Sequence, residues 1–527
     1  MSPTRRTFFK HLSLGGLSLW LSPTFGETLA ATVEKLPRNA PANKGVSSEA
    51  ILHFLEAVEK QGFELHSFMM LRHGEVIAEA WWDPYGPDFI HTMYSMSKSF
   101  TSTAVGLAVA EGKLSVEDKV VSFFPDDLPA TVSENLAALR VKDLLTMSVG
   151  NEKEPTQTVV KSENWVRTFL AQPISHKPGT VFMYNSAATY MCSAIVQKVT
   201  GQKILDYLTP RLFVPLGIAG MTWESCPKGI NTGGWGLSVQ TEALAKFGQL
   251  YLQKGEWKGQ RILPAAWVAE ATAFHIQQPG DDRPDRPKAN NDWLQGYGYQ
   301  FWRCQHGHFR GDGAFGQFTI VLPEQEAVIV MTSENKNMQG QLDLVWEHLL
   351  PAMSGASPAT DAALVTKAKS LNLPPAKGSA ESPNMERVSG KVFTLAENPM
   401  GLTAATFVFQ GNTCVFTARS AKGPHVIACG IERWQKGITA FPETPPRLIS
   451  GGKPPTQVTS KVAASATWTD ENTLVMTWRY YETPHHDTVT CRFEGDKLSL
   501  TFLNSITAMN PKATDVRAVL TGQLGAE

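Results

Sequence analysis

Hydrophobic positions recur along this chain in two different rhythms, and the change falls near residue 353. Before it, the run from Ser95 to Glu111 places Phe100, Ala104, Val105, Leu107, Ala108 and Val109 on an apolar helical face and ends at Gly112. A second helical run, Ala188 to Val199, follows the turn Lys177-Pro178-Gly179-Thr180. Further on, an alternating strand from Phe318 to Leu322 meets the turn Pro323-Glu324-Gln325-Glu326 and a second strand from Ala327 to Met331, which predicts a β-hairpin. From about Ser354 to Glu386 the chain is rich in Pro, Ala and Ser, with one short helical stretch at Ala362 to Lys369, the texture of a linker. Short β-type runs divided by turn residues follow: Lys391 to Leu395, Ala404 to Gln410, Thr413 to Ala418, His425 to Ile431, Ala464 to Trp468, Thr473 to Tyr481, Thr488 to Phe493 and Lys497 to Leu503. They predict a small antiparallel barrel or sandwich. The expected division is a mixed α/β domain over 45–352, a linker over 353–387 and a β-rich accessory domain over 388–527.

The length, 527 residues with 42% hydrophobic, supports a large core and at least two domains. Forty-eight basic against forty-nine acidic residues leave a formal charge of -1. No global field therefore favours nucleic acid or an acidic membrane surface, and a small neutral or mixed-charge substrate fits better. The N-terminus reads Thr4-Arg5-Arg6-Thr7-Phe8-Phe9-Lys10, then an apolar stretch from Leu12 to Leu21, then Thr28-Leu29-Ala30-Ala31. This is the pattern of a twin-arginine export signal over 1–31, with a small-residue cleavage site near Ala30. It predicts passage through the twin-arginine machinery to the periplasm. Its apolar part is too short for a membrane span, which needs about 20 residues. Six cysteines are too few for a dense disulfide framework in a chain this long, although Cys414 and Cys429 stand symmetrically about a Ser-Ala-Lys-Gly turn. No C-x-x-C pair points to zinc, and His306/His308 and His485-His486-Asp487 are too isolated to predict a metal site. No cofactor is expected.

Candidate chemistry concentrates at Ser95-Met96-Ser97-Lys98. The pattern S-x-x-K also occurs at Ser225/Lys228, Ser333/Lys336 and Ser450/Lys453, but only Ser95 precedes a good apolar helical run. On a helix Ser95 and Lys98 stand at i and i+3, neighbours on one face, so the amine reaches the hydroxyl. A serine hydroxyl needs a base, and a free lysine with a pKa of roughly 10.4 holds its proton; burial of Lys98 supplies the required shift of about 3 units. The backbone N–H of Ser95, at the positive end of the helix, offers an oxyanion donor. Tyr184, at the loop-to-helix junction Phe182-Met183-Tyr184-Asn185-Ser186, can take the serine proton or pass it to the leaving group, and Asn185 or Ser186 can hold the substrate. The glycine-rich segment His308-Phe309-Arg310-Gly311-Asp312-Gly313 lets a strand approach the substrate closely, with an N–H near Gly311 completing the oxyanion hole.

The ordered set of S-x-x-K, then Tyr184-Asn185-Ser186, then the glycine-rich strand before a Pro-Glu hairpin resembles the serine β-lactamase and penicillin-binding-protein superfamily. The closer likeness is to its class C-like branch, which includes class C β-lactamases, D-alanyl-D-alanine carboxypeptidases, esterases and aminohexanoate-oligomer hydrolases. It extends from about Glu49 to Pro351, with Leu65 to Trp82 similar to the family's first hairpin and Gly233-Gly-Trp-Gly-Leu-Ser-Val to its stretch before a later helix. The resemblance implies an antiparallel sheet flanked by helices plus a helical subdomain, with Ser95 as nucleophile, Lys98 and Tyr184 in acid–base roles, and Ser186 where class C members usually carry asparagine. The family's strand lysine has no clear counterpart. Counting back from Gly313 places His308 there; a one-residue gap places Phe309 there and Gly311 as the glycine. The C-terminal part resembles the lipocalin-like β-domains appended to some members. The expected function is an exported serine hydrolase acting on small esters or amides. Carboxypeptidase or β-lactamase activity, and a non-catalytic cell-wall-peptide binding protein, stand as alternatives.

Overall fold

The computed structural model describes residues 34–354, 361–449, 451, 459–510, 512, 514–515, 517 and 519–525. The twin-arginine segment at 1–31 and the Ser450/Lys453 pair lie outside the described residues. Among those residues no helix is long and apolar enough to cross a membrane.

The first part is built on a six-stranded antiparallel sheet. Its strands run in the order Glu75–Trp81, Leu65–Arg72, Ala327–Ser333, Gln317–Leu322, Phe309–Gly313 and Trp302–Arg303. Both faces are covered, so the central strands Gln317–Leu322 and Ala327–Ser333 are largely apolar and each face takes alternate residues. Phe68, Met70, Ile329 and Met331 face a core shared with the N-terminal helix Ser48–Lys60 through its Ile51, Phe54 and Leu55. Met69, Leu71, Val328 and Val330 face the opposite core, shared with the helix Ser97–Ala110. Each fully buried Phe, Leu or Ile contributes about 1.5–3 kcal/mol to holding these layers together.

The helix starts at Ser97 rather than Ser95; Ser95 lies in a one-turn 3₁₀ segment, Tyr94–Met96, that leads into it. Residues Ser97 to Ala108 are all buried, so this helix has no polar face turned to water. Its hydroxyls bond inward instead: Thr101 Oγ1 donates to Gly233 O (2.9 Å), Ser99 Oγ to Gln300 O (2.9 Å), and Ser97 Oγ accepts from Leu237 N (3.1 Å). These bonds hold the nucleophile helix between the sheet and the Gly233–Val239 segment.

The C-terminal part is a closed nine-stranded barrel. Its order is Gly423–Ile431, Thr413–Ser420, Leu402–Gln410, Val392–Leu395, Leu520–Leu524, Lys497–Asn504, His486–Glu494, Thr473–Arg479 and Ser460–Asp470. A short parallel pairing, Gly430↔Ser465 and Ile431↔Ala466, closes the ring. A tenth strand, Gln435–Thr439, also pairs with Ser460–Asp470. This tenth strand and Leu520–Leu524 are absent from the sequence expectation, because Gln-Lys-Gly-Ile-Thr and Leu-Thr-Gly-Gln-Leu carry little alternation. The interior is packed with Phe407, Phe416, Trp468, Trp478 and Phe493. Cys414 and Cys429 are cross-strand partners, and all six cysteines are buried free thiols.

The segment expected as a linker is anchored in its described portion. Helix Asp361–Ser370 packs on the N-terminal helix, with Ser48 Oγ bonded to Asp361 and Lys367 paired with Glu59. Leu364, Leu371 and Leu373 are buried.

The barrel loop between Arg479 and His486 docks on the first part. Arg479 forms a two-pronged ion pair with Glu64, Tyr85 Oη donates to Thr483 O (3.1 Å), and Thr92 N donates to Glu482 O (3.0 Å). Glu334, buried, bonds His485 Nδ1 (2.6 Å) and His486 Nδ1 (2.9 Å). Burial alone would raise the Glu334 carboxyl; the two histidine hydrogen bonds outweigh it and hold the group at about 2. Ligand atoms of Glu64, Glu334 and His486 lie within 4.8 Å of one another. The two carboxylates already have partners, Glu64 in Arg479 and Glu334 in His485 and His486.

Candidate active site

Ser95 sits partly exposed in the middle of the 3₁₀ turn, and Lys98 lies one turn on, buried to 1% exposure. The Lys98 amine donates to Ser95 Oγ (3.0 Å), Ser186 Oγ (3.0 Å) and Gly234 O (2.7 Å). Its three donors thus have three oxygen acceptors, which directs the nitrogen at the serine. Burial lowers its pKa to about 7, with the Glu154 and Asp312 carboxylates opposing part of the shift. At 1.36 kcal/mol per unit, holding this amine in the protein costs about 5 kcal/mol relative to water when it is charged. The site therefore stores instability in return for a base that is half neutral near pH 7.

Gly234 is fixed by two demands. Its carbonyl serves Lys98, and a Cβ there would stand 2.6 Å from the Ser186 carbonyl oxygen. Ser186 opens the helix Ser186–Thr200, whose N-cap, Asn185, accepts from Ala188 N (3.0 Å). The cap explains the Tyr-Asn-Ser order: Asn185 turns inward to start the helix, leaving Tyr184 and Ser186 on either side of it.

Tyr184 stacks on Trp302, with ring centroids 5.6 Å apart at 25°, and Lys98 Nζ lies 4.8 Å from its ring centroid. Its pKa is raised by burial, opposed by a hydrogen bond with Ser95. It is therefore a neutral phenol beside an amine that is half neutral near pH 7, a proton donor rather than a tyrosinate base.

The strand Phe309–Gly313 crosses directly over the nucleophile turn. A Cβ on Gly311 would meet Met96 Sδ at 2.2 Å, and one on Gly313 would meet Met93 O at 2.2 Å. Both glycines are required by close approach. His308 O accepts from Cys304 N (2.8 Å), on the Trp302–Arg303 side, so by alternation the backbone polar groups of Gly311 and Gly313 face the strand Gln317–Leu322. Alternation turns the Asp312 N–H the other way, to the edge that the two-residue strand Trp302–Arg303 leaves uncovered. The oxyanion-competent amide is that of Asp312, between the two expected glycines.

Ser95, Lys98, Tyr184, Ser186 and the Gly311/Gly313 strand are brought together. His308 is not. Strand alternation puts it on the opposite face with Arg310, stacked against Trp346 at 5.7 Å, and burial lowers its pKa to about 4. The residue of this strand turned to the nucleophile side is Phe309, within the same core as Phe100. Arg310 is fully buried, paired with Asp312 (2.9 Å) and set 4.5 Å over Trp293. Among the described residues of this strand no cation faces the nucleophile side in the place of the family's lysine. The two competing S-x-x-K serines among the described residues are structural: Ser333 Oγ donates to Phe315 O (2.6 Å) and Ser225 Oγ accepts from Asn231 (3.1 Å).

The family model described as Beta-lactamase matches residues 53–349, more than half of the chain. The chain belongs to the β-lactamase family. It is a serine hydrolase of that family's fold, related to amidases, esterases and penicillin-binding-protein-like chains. It is 27% identical over 338 residues to "6-aminohexanoate-dimer hydrolase" of Paenarthrobacter ureafaciens, covering 60% of this chain and 84% of that protein. It is 25% identical over 153 residues to "Putative D-alanyl-D-alanine carboxypeptidase" of Escherichia coli (strain K12), covering 26% of this chain and 35% of that protein. In fold it is similar to the solved structure "Putative 6-aminohexanoate-dimer hydrolase from Bacillus anthracis", with a TM-score of 0.50 at 18% identity, covering 61% of this chain and 88% of that one.

In this β-lactamase-family site, sequence reasoning missed Glu154, Trp302 and the Asp312 amide. Glu154 is an exposed loop acid with no motif around it, although its Oε1 accepts from Ser186 N (3.1 Å). The Asp312 amide needed only the strand register, which Gly311-Asp312-Gly313 implies once the close approach of both glycines is recognised.

Proposed function

We propose that the protein is an exported hydrolase that forms an acyl-enzyme on Ser95 and acts on small esters or amides. The observation that carries this reading is the buried Lys98 amine, lowered to about 7 and bonded to Ser95 Oγ. Neutral Lys98 takes the Ser95 proton as Oγ attacks the substrate carbonyl, and the N–H groups of Ser95 and Asp312 hold the resulting oxyanion. Tyr184 gives its proton to the leaving alcohol or amine and regains one from Lys98, which returns to the neutral form. Water then enters where the leaving group was; neutral Lys98 takes its proton through Tyr184 as the water oxygen attacks the acyl carbonyl, and that proton passes to Ser95 Oγ as the Oγ–acyl bond breaks and the acid leaves.

Phe309 in place of a cation argues for substrates without a carboxylate at that subsite, and the Glu154 carboxylate near Lys98 adds to it. Small esters and amides meet that requirement; the relative from Paenarthrobacter ureafaciens is named for an amide substrate. A second reading, D-alanyl-D-alanine carboxypeptidase, has the similarity to the Escherichia coli protein in its favour. Export rests on Arg5-Arg6 and the apolar stretch after them.

The test is hydrolysis of p-nitrophenyl butyrate, a D-alanyl-D-alanine peptide and nitrocefin by the purified protein and its Ser95→Ala variant. The reading predicts turnover of the ester, none of nitrocefin, and loss of ester turnover in Ser95→Ala. Ester turnover that survives the substitution would place the nucleophile elsewhere.

A further inference from the structure

We propose that the barrel supplies a positioning residue, His485, which acts through Tyr94 to fix the nucleophile turn. The inference rests on the reading of Ser95 as nucleophile. Tyr94 immediately precedes Ser95 and has φ of 46°, in the left-handed region. A bulky side chain occupies that region only when its surroundings hold it there, and the conformation of Tyr94 sets the direction of the Ser95 N–H and Oγ.

What holds Tyr94 comes from the barrel. Its hydroxyl is hydrogen-bonded to His485 Nε2, and its ring meets Phe315 edge-on at 5.6 Å, with Phe315 in turn 4.9 Å from His485. His485 is itself fixed, because its Nδ1 bonds Glu334 Oε1 at 2.6 Å and both side chains are buried to 1% exposure or less. Glu334, held as a carboxylate, only accepts, so Nδ1 carries a ring hydrogen, and in the neutral imidazole Nε2 accepts from the Tyr94 O–H. Two residues upstream, Thr92 N donates to Glu482 O (3.0 Å) of the same barrel loop. The loop is stiffened from behind, since Tyr480 Oη donates to Asp487 (2.7 Å) and Arg517 grips Asp487 with two nitrogens (2.9 and 2.7 Å). The accessory domain thus holds both the backbone entering the nucleophile turn and the side chain that keeps it in its left-handed bend.

The test compares full-length wild type with Tyr94→Phe, His485→Ala, His485→Gln and Arg479→Met. It reads p-nitrophenyl butyrate kinetics, the rate of fluorophosphonate labelling at Ser95, and the melting temperature. Tyr94→Phe and His485→Ala are expected to lower kcat and the labelling rate about tenfold, with KM within about twofold, because the misplaced turn acts on the transition state and not on substrate binding. His485→Gln, which can still accept from Tyr94 and donate to Glu334, recovers most of that loss. Arg479→Met cuts the docking ion pair away from the turn; it lowers the melting temperature with kcat within about twofold. Should His485→Ala fail to fold, Tyr94→Phe, which removes a single oxygen, carries the test. Wild-type labelling rates in Tyr94→Phe, no recovery in His485→Gln, or an equal loss of kcat in Arg479→Met would each overturn the proposal. Absence of labelling at Ser95 in the wild type would instead remove the nucleophile reading beneath it.

Discussion

The two parts of this molecule bury polar groups in opposite ways. The barrel keeps its interior apolar, its strands alternating between buried and exposed positions, as in Thr473–Arg479. The hydrolase part buries Lys98 together with Ser97, Ser99, Thr101 and Thr103 on one helix. A core that only has to be stable excludes charge; a core that must hold a neutral amine near pH 7 accepts the cost of burying one and surrounds it with oxygen acceptors. The barrel's most deeply buried polar side chains, His485 and Asp487 at 0% exposure, belong to the end that meets the nucleophile turn.

The contrast breaks first at Lys98. Lys98→Met is expected to lower kcat for ester hydrolysis by about 10²–10⁴-fold, measured at saturating substrate. The same variant should be more stable than wild type. The folded-state pKa, about 7, lies below the ordinary value of 10.5, so the unfolded chain binds the extra proton. The destabilisation is full below pH 7 and fades as pH rises from 7 toward 10.5. Urea unfolding should therefore show a gain of a few kcal/mol for Lys98→Met at about pH 6 that shrinks by about pH 9. A barrel-core change gives the reverse pair of effects. Phe407→Ala, at a fully buried position, should cost about 3–5 kcal/mol of barrel stability while the folded protein at low temperature keeps its kcat within a factor of about two. Gly311→Ala sits between these cases: its Cβ would meet Met96 Sδ at 2.2 Å. It should cost about 1–3 kcal/mol by overpacking and lower kcat as well, through the displaced turn. The smallest effect is at the interface. The Glu334 carboxylate is held at about 2, below its ordinary 4.5, so its stabilisation is complete above pH 4.5 and lost as pH falls through 2. Acid titration followed by tryptophan fluorescence should show Glu334→Gln losing that part of the pH dependence.

The same contrast governs what could be read in the chain. Barrel strands were legible because one face is wet: Thr413–Ser420 and His486–Glu494 alternate cleanly. Strands such as Leu65–Arg72 and Ala327–Ser333 are buried on both faces, so periodicity alone does not assign their two sides. There the legible signals were residues tied to chemistry: the i, i+3 spacing paired Ser95 with Lys98, and the ordered motifs added Tyr184, whose ring lies 4.8 Å from Lys98 Nζ. His308 went wrong for a definite reason. A strand alternates strictly, and counting back one residue too far moved the expected charge to the opposite face, where it stacks on Trp346. The interplay of Tyr94, His485 and Glu334 had no local signal, because these residues lie far apart in sequence and meet only when the barrel docks.

The central claim is that Ser95 is acylated with Lys98 as its base. It is tested most directly by mapping the fluorophosphonate adduct by peptide mass and following its rate between about pH 5 and pH 9, in wild type and in Lys98→Met. The account predicts a single adduct on Ser95, forming at a rate that rises through about pH 7 as Lys98 loses its proton, and a slow, flat profile in Lys98→Met. An adduct on another residue, or an unchanged rate and pH profile after Lys98→Met, would contradict it.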